Sequence, residues 1–362
     1  MKPKVHARKR TLLASLVLLL GWIGTAQAQP VIRHPQPSEA LTQKWAWAME
    51  EGRTASQNGF WIGYSIQRRM RENSFIGSWS TRVQRTSLHE LIYNEKPAYG
   101  PYDRDRKGSD RIVVKEVAML FEFGANGSEP IEIDVSNLSG YVDLEGKPLL
   151  WLEGAGDDES LALVQQQYAR ARDVDVQEDA VSAIAMHEST GKLVPILSDI
   201  LTGDADDEVR EQAAFWLGQQ DDKMALDLLV RTARTDRSED VREQAVFGIS
   251  QTELPEATDI LIDLARNERG EVAEKAVFWL GQRASERAAE ALGDLVDDSP
   301  DTEIQKQAVF AISQLPDEKA VPMLIKIART HPKLKVRKQA IFWLSESDDP
   351  RALEAIIDLA RG

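Results

Sequence analysis

No cysteine occurs anywhere in the 362 residues. Disulfides, thiolate metal sites and cysteine nucleophiles are therefore excluded. Histidine is scarce too: past residue 29 only His34, His89, His187 and His331 remain, and no two stand at a metal-ligand spacing. Beyond those first residues no apolar run approaches the roughly 20 residues that span a bilayer. There is no Gly-rich phosphate loop, no nucleophile elbow and no acid pair set to shift its pKa. These absences point to a protein without catalytic residues, metal or cofactor.

Basic residues are in deficit once the start is set aside. Met1 to Gln29 is laid out as a secretory signal: Lys2, Lys4, Arg8, Lys9 and Arg10, an apolar run from Leu12 to Ile23, then Ala26-Gln27-Ala28. The expectation is a signal peptide at 1–28, cleavage after Ala28, no membrane anchor afterwards, and a periplasmic or secreted product. The chain has 44 Lys and Arg against 59 Asp and Glu, so losing the five basic residues of the start leaves 39 against 59, a net charge of −20. Segment 154–362 carries 24 basic and 42 acidic residues, or −18. Nucleic acid is excluded as its partner on that balance.

Residues 29–37 are Pro-rich and read as a flexible start. Segment 38–153 reads as a β-rich domain with its own small core: a helix at Glu39–Glu51, then strands at Gly59–Ile66, Phe75–Val83, Arg111–Phe123, Ile131–Val135 and Gly140–Trp151. Tyr99 to Asp110, with charges of both signs, Gly and Pro, reads as a surface loop.

From residue 154 to the end the chain repeats itself. VREQAAFWLGQ at Val209 returns as VREQAVFGISQ at Val241, VAEKAVFWLGQ at Val272, IQKQAVFAISQ at Ile304 and VRKQAIFWLSE at Val336, in steps of 32, 31, 32 and 32 residues. A worn copy, VQEDAVSAIAM, begins at Val176. At about 100° per residue, Val209, Ala213, Trp216 and Leu217 share one helix side. A second segment follows in each unit, with Ala225, Ala257, Ala288, Ala320 and Ala352 in register. Asp221, Glu253, Ser285, Asp317 and Asp349 lie near its start, where they suit free N–H groups. The unit is a helical hairpin that buries both faces only by stacking. Leu161–Arg172 and Asp173–Met186 supply the first two helices.

The V-[RAQ]-x-[QK]-A-x-F-x-[LI]-[GS] core and its pitch resemble the short, PBS-lyase-like class of HEAT repeats. The resemblance implies a mainly α fold, an α-solenoid of about six HEAT-like hairpins behind the small β-rich domain, with the repeat helices lining its inner surface. His89-Glu90 and His187-Glu188 are similar to the His-Glu pairs of the di-iron HEAT hydroxylases, but those sit on matching repeats and these do not. The two histidines are read as turn or surface residues. Bilin lyases share the repeat, and a signal peptide argues against that activity. The acidic pairs Asp206-Asp207 and Asp297-Asp298 fall in turns and read as solvated, weak calcium binding being the sharper alternative.

Phenylalanine is the residue that stands out. Phe215, Phe247, Phe278, Phe310 and Phe342 all occupy the seventh repeat position, at about 240° on the wheel and nearly opposite the packed side. Amides flank them: Gln212 and Gln219, Gln244 and Gln251, Gln282, Gln307 and Gln314, and Gln339. Two readings are open, an exposed aromatic and amide ladder that binds an extended protein segment, and a set of wedges between repeats. Trp216, Trp279 and Trp343 alternate with Gly248 and Ala311 and read as core interdigitation. In the last helix Leu353 and Ile357 continue an apolar pattern, so self-association or a partner is expected there. The reading is an exported, non-enzymatic interaction scaffold; the alternative is an enzyme or ligand-binding protein with a site in the β-rich domain or at the domain junction.

Overall fold

The computed structural model describes residues 30–361 apart from 78–85, 97–110, 189, 204–205 and 284. The signal at 1–28, the surface loop at 99–110 and most of the strand expected at Phe75–Val83 lie outside the described residues. Residues 75–77 form no strand.

The chain begins with a sheet built from β1 (Val31–Arg33), β2 (Phe60–Arg71), β3 (Ile112–Phe123), β4 (Pro130–Asn137) and β5 (Leu149–Gly154), in the order β1-β5-β2-β3-β4. β2 runs antiparallel to β3 from Phe60 opposite Phe123 to Arg71 opposite Ile112. β5 is parallel to both β2 and β1. Alternation divides the side chains between two faces. Phe60, Ile62, Tyr64 and Ile66 lie with Phe121 and Phe123 on one face, under Leu41, Trp45 and Ala48 of α1 (Leu41–Ala55). Trp61, Leu120 and Trp151 lie on the other, with Leu88 and Ile92 of α2 (Leu88–Tyr93). Lys44, buried in α1, donates through Nζ to the carbonyls of Leu152 at 2.8 Å and Gly154 at 3.2 Å, which ties the helix to the end of β5.

Three local expectations are corrected. Val31–Arg33, read as part of a flexible start, is a strand because β5 offers it an open edge: the Leu149 amide donates to the Pro30 carbonyl and the His34 amide to that of Trp151. Of the strand expected at Gly140–Trp151 only the part from Leu149 is extended, since Glu145 and Gly146 at positive φ turn the preceding residues away. The sheet has no separate core on its α1 face, where its residues join one continuous cluster with the helices that follow.

Those helices begin with α3 (Asp157–Tyr168) and then alternate between two rows. The first row is α4 (Val174–Ala185), α6 (Asp207–Gly218), α8 (Glu239–Gln251), α10 (Glu271–Arg283), α12 (Thr302–Ser313) and α14 (Leu334–Ser345). The second is α5 (Thr190–Thr202), α7 (Lys223–Thr235), α9 (Glu256–Asn267), α11 (Glu286–Asp298), α13 (Asp317–Thr330) and α15 (Pro350–Arg361). The pairs make six hairpins in a mainly α fold, an α-solenoid with a small sheet at its front. Val209, Ala213 and Leu217, and their equivalents in each copy, are buried, as the repeat pattern requires. The second repeat position ties hairpins together: Arg242 donates to the carbonyl of Asp236, Gln305 to that of Val296 and Arg337 to that of His331, each at 2.8 Å. Asp222 and Ser285 cap α7 and α11. Asp221 instead reaches the next repeat, accepting from the Glu253 amide at 2.8 Å. First-row helices pack closer together than second-row helices, so the array curves with the first row inside.

The sheet closes the front of this stack. Tyr64 Oη lies 3.0 Å from Ser160 Oγ, which lies 2.7 Å from His187 Nε2, all three being buried. The other ring nitrogen of His187 is 2.9 Å from the Ile184 carbonyl, which only accepts, so Nδ1 carries the proton and Nε2 accepts from Ser160. Arg68 donates to the Met186 carbonyl and the Arg69 amide to Glu188 at 2.7 Å. His187 is thus a buried junction residue rather than a surface one, since α4 ends where β2 arrives. A hairpin stack needs its end covered, and the sheet covers it. At the far end Leu353 is 63% and Ile357 40% exposed on α15. Among the described residues no helix is long and apolar enough to cross a membrane.

Candidate binding face on the inner helices

The seventh repeat position points away from the buried side of each first-row helix, and its five rings touch their neighbours along the row. Phe215 stacks on Phe247 with centroids 5.9 Å apart, and Phe278 on Phe310 at 6.3 Å. Between these pairs the eighth-position tryptophans supply the contact: Phe247 meets Trp279 at 4.9 Å and Phe310 meets Trp343 at 5.1 Å. Trp216, Trp279 and Trp343 stand edge-on to Phe215, Phe278 and Phe342 within their own helices. Eight rings therefore form one unbroken ribbon from α6 to α14. Phe215, Phe247, Phe278 and Phe310 are half-buried, and Phe342 is 51% exposed. The rings are neither buried wedges nor free rungs: they touch in series and stay partly exposed.

The spacing behind this pattern alternates every second repeat. A Cβ on Gly218 would run into the backbone of Gly248, and one on Gly281 would come 2.8 Å from the Ala311 carbonyl oxygen. Helices α6 and α8, and α10 and α12, approach closely because Gly248 and Ala311 are small, and there Phe stacks on Phe. At α8–α10 and α12–α14 the eighth position is Trp, and the indole lies against the ring behind it. The tryptophans were expected as core interdigitation; they are half-buried against the core and also complete the ribbon.

The amides of the expected ladder divide into two sets. Gln212, Gln244, Gln307 and Gln339 are half-buried one turn before their rings, while Gln219, Gln251, Gln282 and Gln314 are exposed one turn after. Gln212 donates to Ser182 Oγ at 2.7 Å, Ser182 being the residue that replaces Phe in the worn first copy. Gln251 and Gln314 donate to the neighbouring hydroxyls of Ser250 and Ser313.

Carboxylates crowd the front end of this face, which corrects the expectation that no acids are set to shift their pKa. Burial and then the neighbouring charges of Asp134, Glu132, Glu178 and Asp175 push Asp179 up to about 7. Asp179 is open to water but hemmed in by β4 and its own helix. Burial and then Asp240, Glu208, Glu178 and Asp207 push Glu211 up to about 7. Asp134 and Glu132 are raised as well, chiefly by burial. The repeat pattern contains the part of this cluster on α4, α6 and α8; the part on β4 comes only from the docking of the sheet.

The other sequence candidates stay apart. His89 lies on α2, against Tyr93 and the Glu95 carbonyl, while His187 lies on the opposite face of the sheet. Among the described residues no group of three His, Asp or Glu side chains is placed to hold a metal ion, at the acidic turns or elsewhere.

Residues 194–281, 264–334 and 289–362 match the family of HEAT repeats. Over residues 194–362 the helical array is therefore a HEAT-repeat solenoid, and its recurring unit resembles the short-pitch PBS-lyase-like class. No curated protein matches it. Among solved structures it is similar to the Escherichia coli protein YibA, with 16% identity over 57% of this chain and 83% of that one and a TM-score of 0.35. The complex of CpcE and CpcF of phycocyanin lyase from Nostoc gives 21% identity over 55% and 80%, with a TM-score of 0.33. Human deoxyhypusine hydroxylase gives 19% over 54% and 76%, with a TM-score of 0.25.

The titrating groups give stability a pH dependence of two signs. Asp179 and Glu211, raised in the fold, are protonated on folding between their unfolded values near pH 4 and about 7. Their charges therefore cost stability above pH 7, and the cost is relieved as pH falls. His187 is held below the usual imidazole range by burial, so its share of stability is full above roughly pH 6.5 and is lost as pH falls below it. Asp179→Asn with Glu211→Gln should gain on the order of 1 kcal/mol at pH 8 after allowance for solvent screening, and much less at pH 5. Thermal melting at both pH values checks this, and equal gains at both would show that charge repulsion is not the cause.

Proposed function

We propose that the ribbon is a docking face for an extended segment of another protein, and that the chain is an exported, non-enzymatic scaffold. HEAT-type solenoids present long inner surfaces of this kind, and one observation carries the reading: eight touching rings, half exposed, run along a single face with amides beside them. Rings contribute apolar area at little entropic cost, and amides satisfy the backbone of an extended ligand. The enzyme alternative finds no support in the histidines, which the sheet keeps apart. Nucleic acid is disfavoured by the acidic front of the face.

Phe342→Ser removes the most exposed ring and should leave stability within about 0.5 kcal/mol. Phe278→Ser with Phe310→Ser breaks a stacked pair and should cost about 1–3 kcal/mol, less than emptying two core sites would. Both variants should lose partner affinity, the central pair by about 2 kcal/mol or more. Calorimetric melting with peptide titration measures the two effects separately, and a double variant that binds as the parent does would remove the ribbon from the account.

Export rests on the order of charge, apolar run and Ala-Gln-Ala at the start. The secreted or periplasmic protein should have a mass beginning at Gln29, and retention of residues 1–28 would refute cleavage. Leu353 and Ile357 make α15 a second proposed contact, with another copy of the chain. Light scattering should show an association that Leu353→Glu with Ile357→Glu abolishes; a strict monomer at high concentration counts against it.

A further inference from the structure

The residues beside the ribbon are charged in a graded order. Those seven, four and three positions before each ring share its open face of the helix. In α4, where Ser182 stands in the ring position, they are Asp175, Glu178 and Asp179, summing to −3. In α6 they are Glu208, Glu211 and Gln212, and in α8 Asp240, Glu243 and Gln244, each −2. In α10 Glu271, Glu274 and Lys275 give −1, in α12 Glu303, Lys306 and Gln307 give 0, and in α14 Lys335, Lys338 and Gln339 give +2. The progression has the same sense at every step but one, where it is level. Glu132 and Asp134 of β4 add to the acidic end.

Local pairing does not erase this order. Lys275 pairs with Glu243 at 2.7 Å and Lys306 with Glu303 at 2.7 Å, both in the middle of the row. Among the described residues no Lys or Arg forms an ion pair with Asp179 or Glu211 at one end, and no Asp or Glu forms one with Lys335 or Lys338 at the other. The second row shows the contrast: Arg234 pairs with Asp263, Arg266 with Asp294 and Arg329 with Asp358, each bridging neighbouring helices. In the second row ion pairs bridge neighbouring helices, whereas in the first row the two ends keep net charges of opposite sign.

We propose, resting on the ribbon as the docking face, that its occupant is a dipolar extended segment. Its cationic end lies over α4–α8, its apolar or aromatic middle lies on the ribbon, and its acidic end lies over α14. At the usual helix spacing of 8–10 Å, six first-row helices span about 45 Å, which some 14 extended residues would cover. Opposed charges at both ends hold such a segment in one direction and disfavour a uniformly charged one.

The test uses synthetic peptides with a Phe- and Leu-containing middle, flanked by a Lys block and a Glu block, by Ser blocks, or by two Lys blocks. A photo-crosslinker is placed at one end or the other, because a peptide can reverse itself and only the crosslink reports direction. The dipolar peptide should bind roughly tenfold tighter than the Ser-flanked one at low salt, with the gap closing at high salt. A crosslinker at its Lys end should label residues 174–251, and one at its Glu end residues 334–345. Lys335→Glu with Lys338→Glu should lower dipolar binding to the Ser-flanked level and leave Ser-flanked binding unchanged. Equal affinity of the dipolar and Ser-flanked peptides, or reversed crosslinks, would overturn the polarity and leave the ribbon standing. A face occupied by a second copy, released by that lysine variant, would overturn it as well. If no peptide binds and ribbon variants change nothing, the docking reading itself fails and takes the polarity with it.

Discussion

The distance between neighbouring first-row helices governs the inner face. It is set by what occupies the eighth repeat position. Where that residue is Gly248 or Ala311, the preceding Gly218 or Gly281 comes against backbone, and no side chain larger than hydrogen fits at the glycine. Where it is tryptophan, the indole fills the junction. Close-packed interiors leave no third option, because a void at either junction would forfeit contacts on both sides. The seventh-position rings follow from this spacing and stack or tilt as the gap dictates.

Function and stability draw on the face differently at its two ends. Buried positions of every repeat are ordinary aliphatic packing, and stability in such an array is a sum of repeat and neighbour terms. The carboxylates at the front oppose that sum, since burial and mutual repulsion raise Asp179 and Glu211 to about 7. Groups held against their preference cluster at functional sites more often than elsewhere. The sheet contributes to both, closing the first hairpin through Tyr64, Ser160 and His187 and bringing Glu132 and Asp134 to the acidic end.

Much of the solenoid was legible in the sequence because it is periodic. Five near-identical cores at a pitch of about 32 residues repeat one physical problem, and reading one copy reads them all. The ring row was legible for the same reason, but its exposure was not, since whether Phe215 lies on Phe247 depends on a helix distance that Gly218 and Gly248 set together. The sheet was less legible. β1 is three residues that only an existing β5 edge makes extended, and before Leu149 the apolar Val142 and Leu144 are buried without belonging to a strand. His187 looked like a turn residue because its burial comes from β2, more than a hundred positions earlier in the chain.

The central claim is that the five ring positions form a solvent-facing surface that a ligand covers. The most direct measurement is fluorine NMR of protein labelled with 4-fluorophenylalanine, with Phe60, Phe121 and Phe123 as fully buried references. The account predicts that the signals of Phe215, Phe247, Phe278, Phe310 and Phe342 shift between light and heavy water and move on addition of the dipolar peptide, while the three references do neither. Ladder signals as insensitive to solvent and peptide as those references would contradict it.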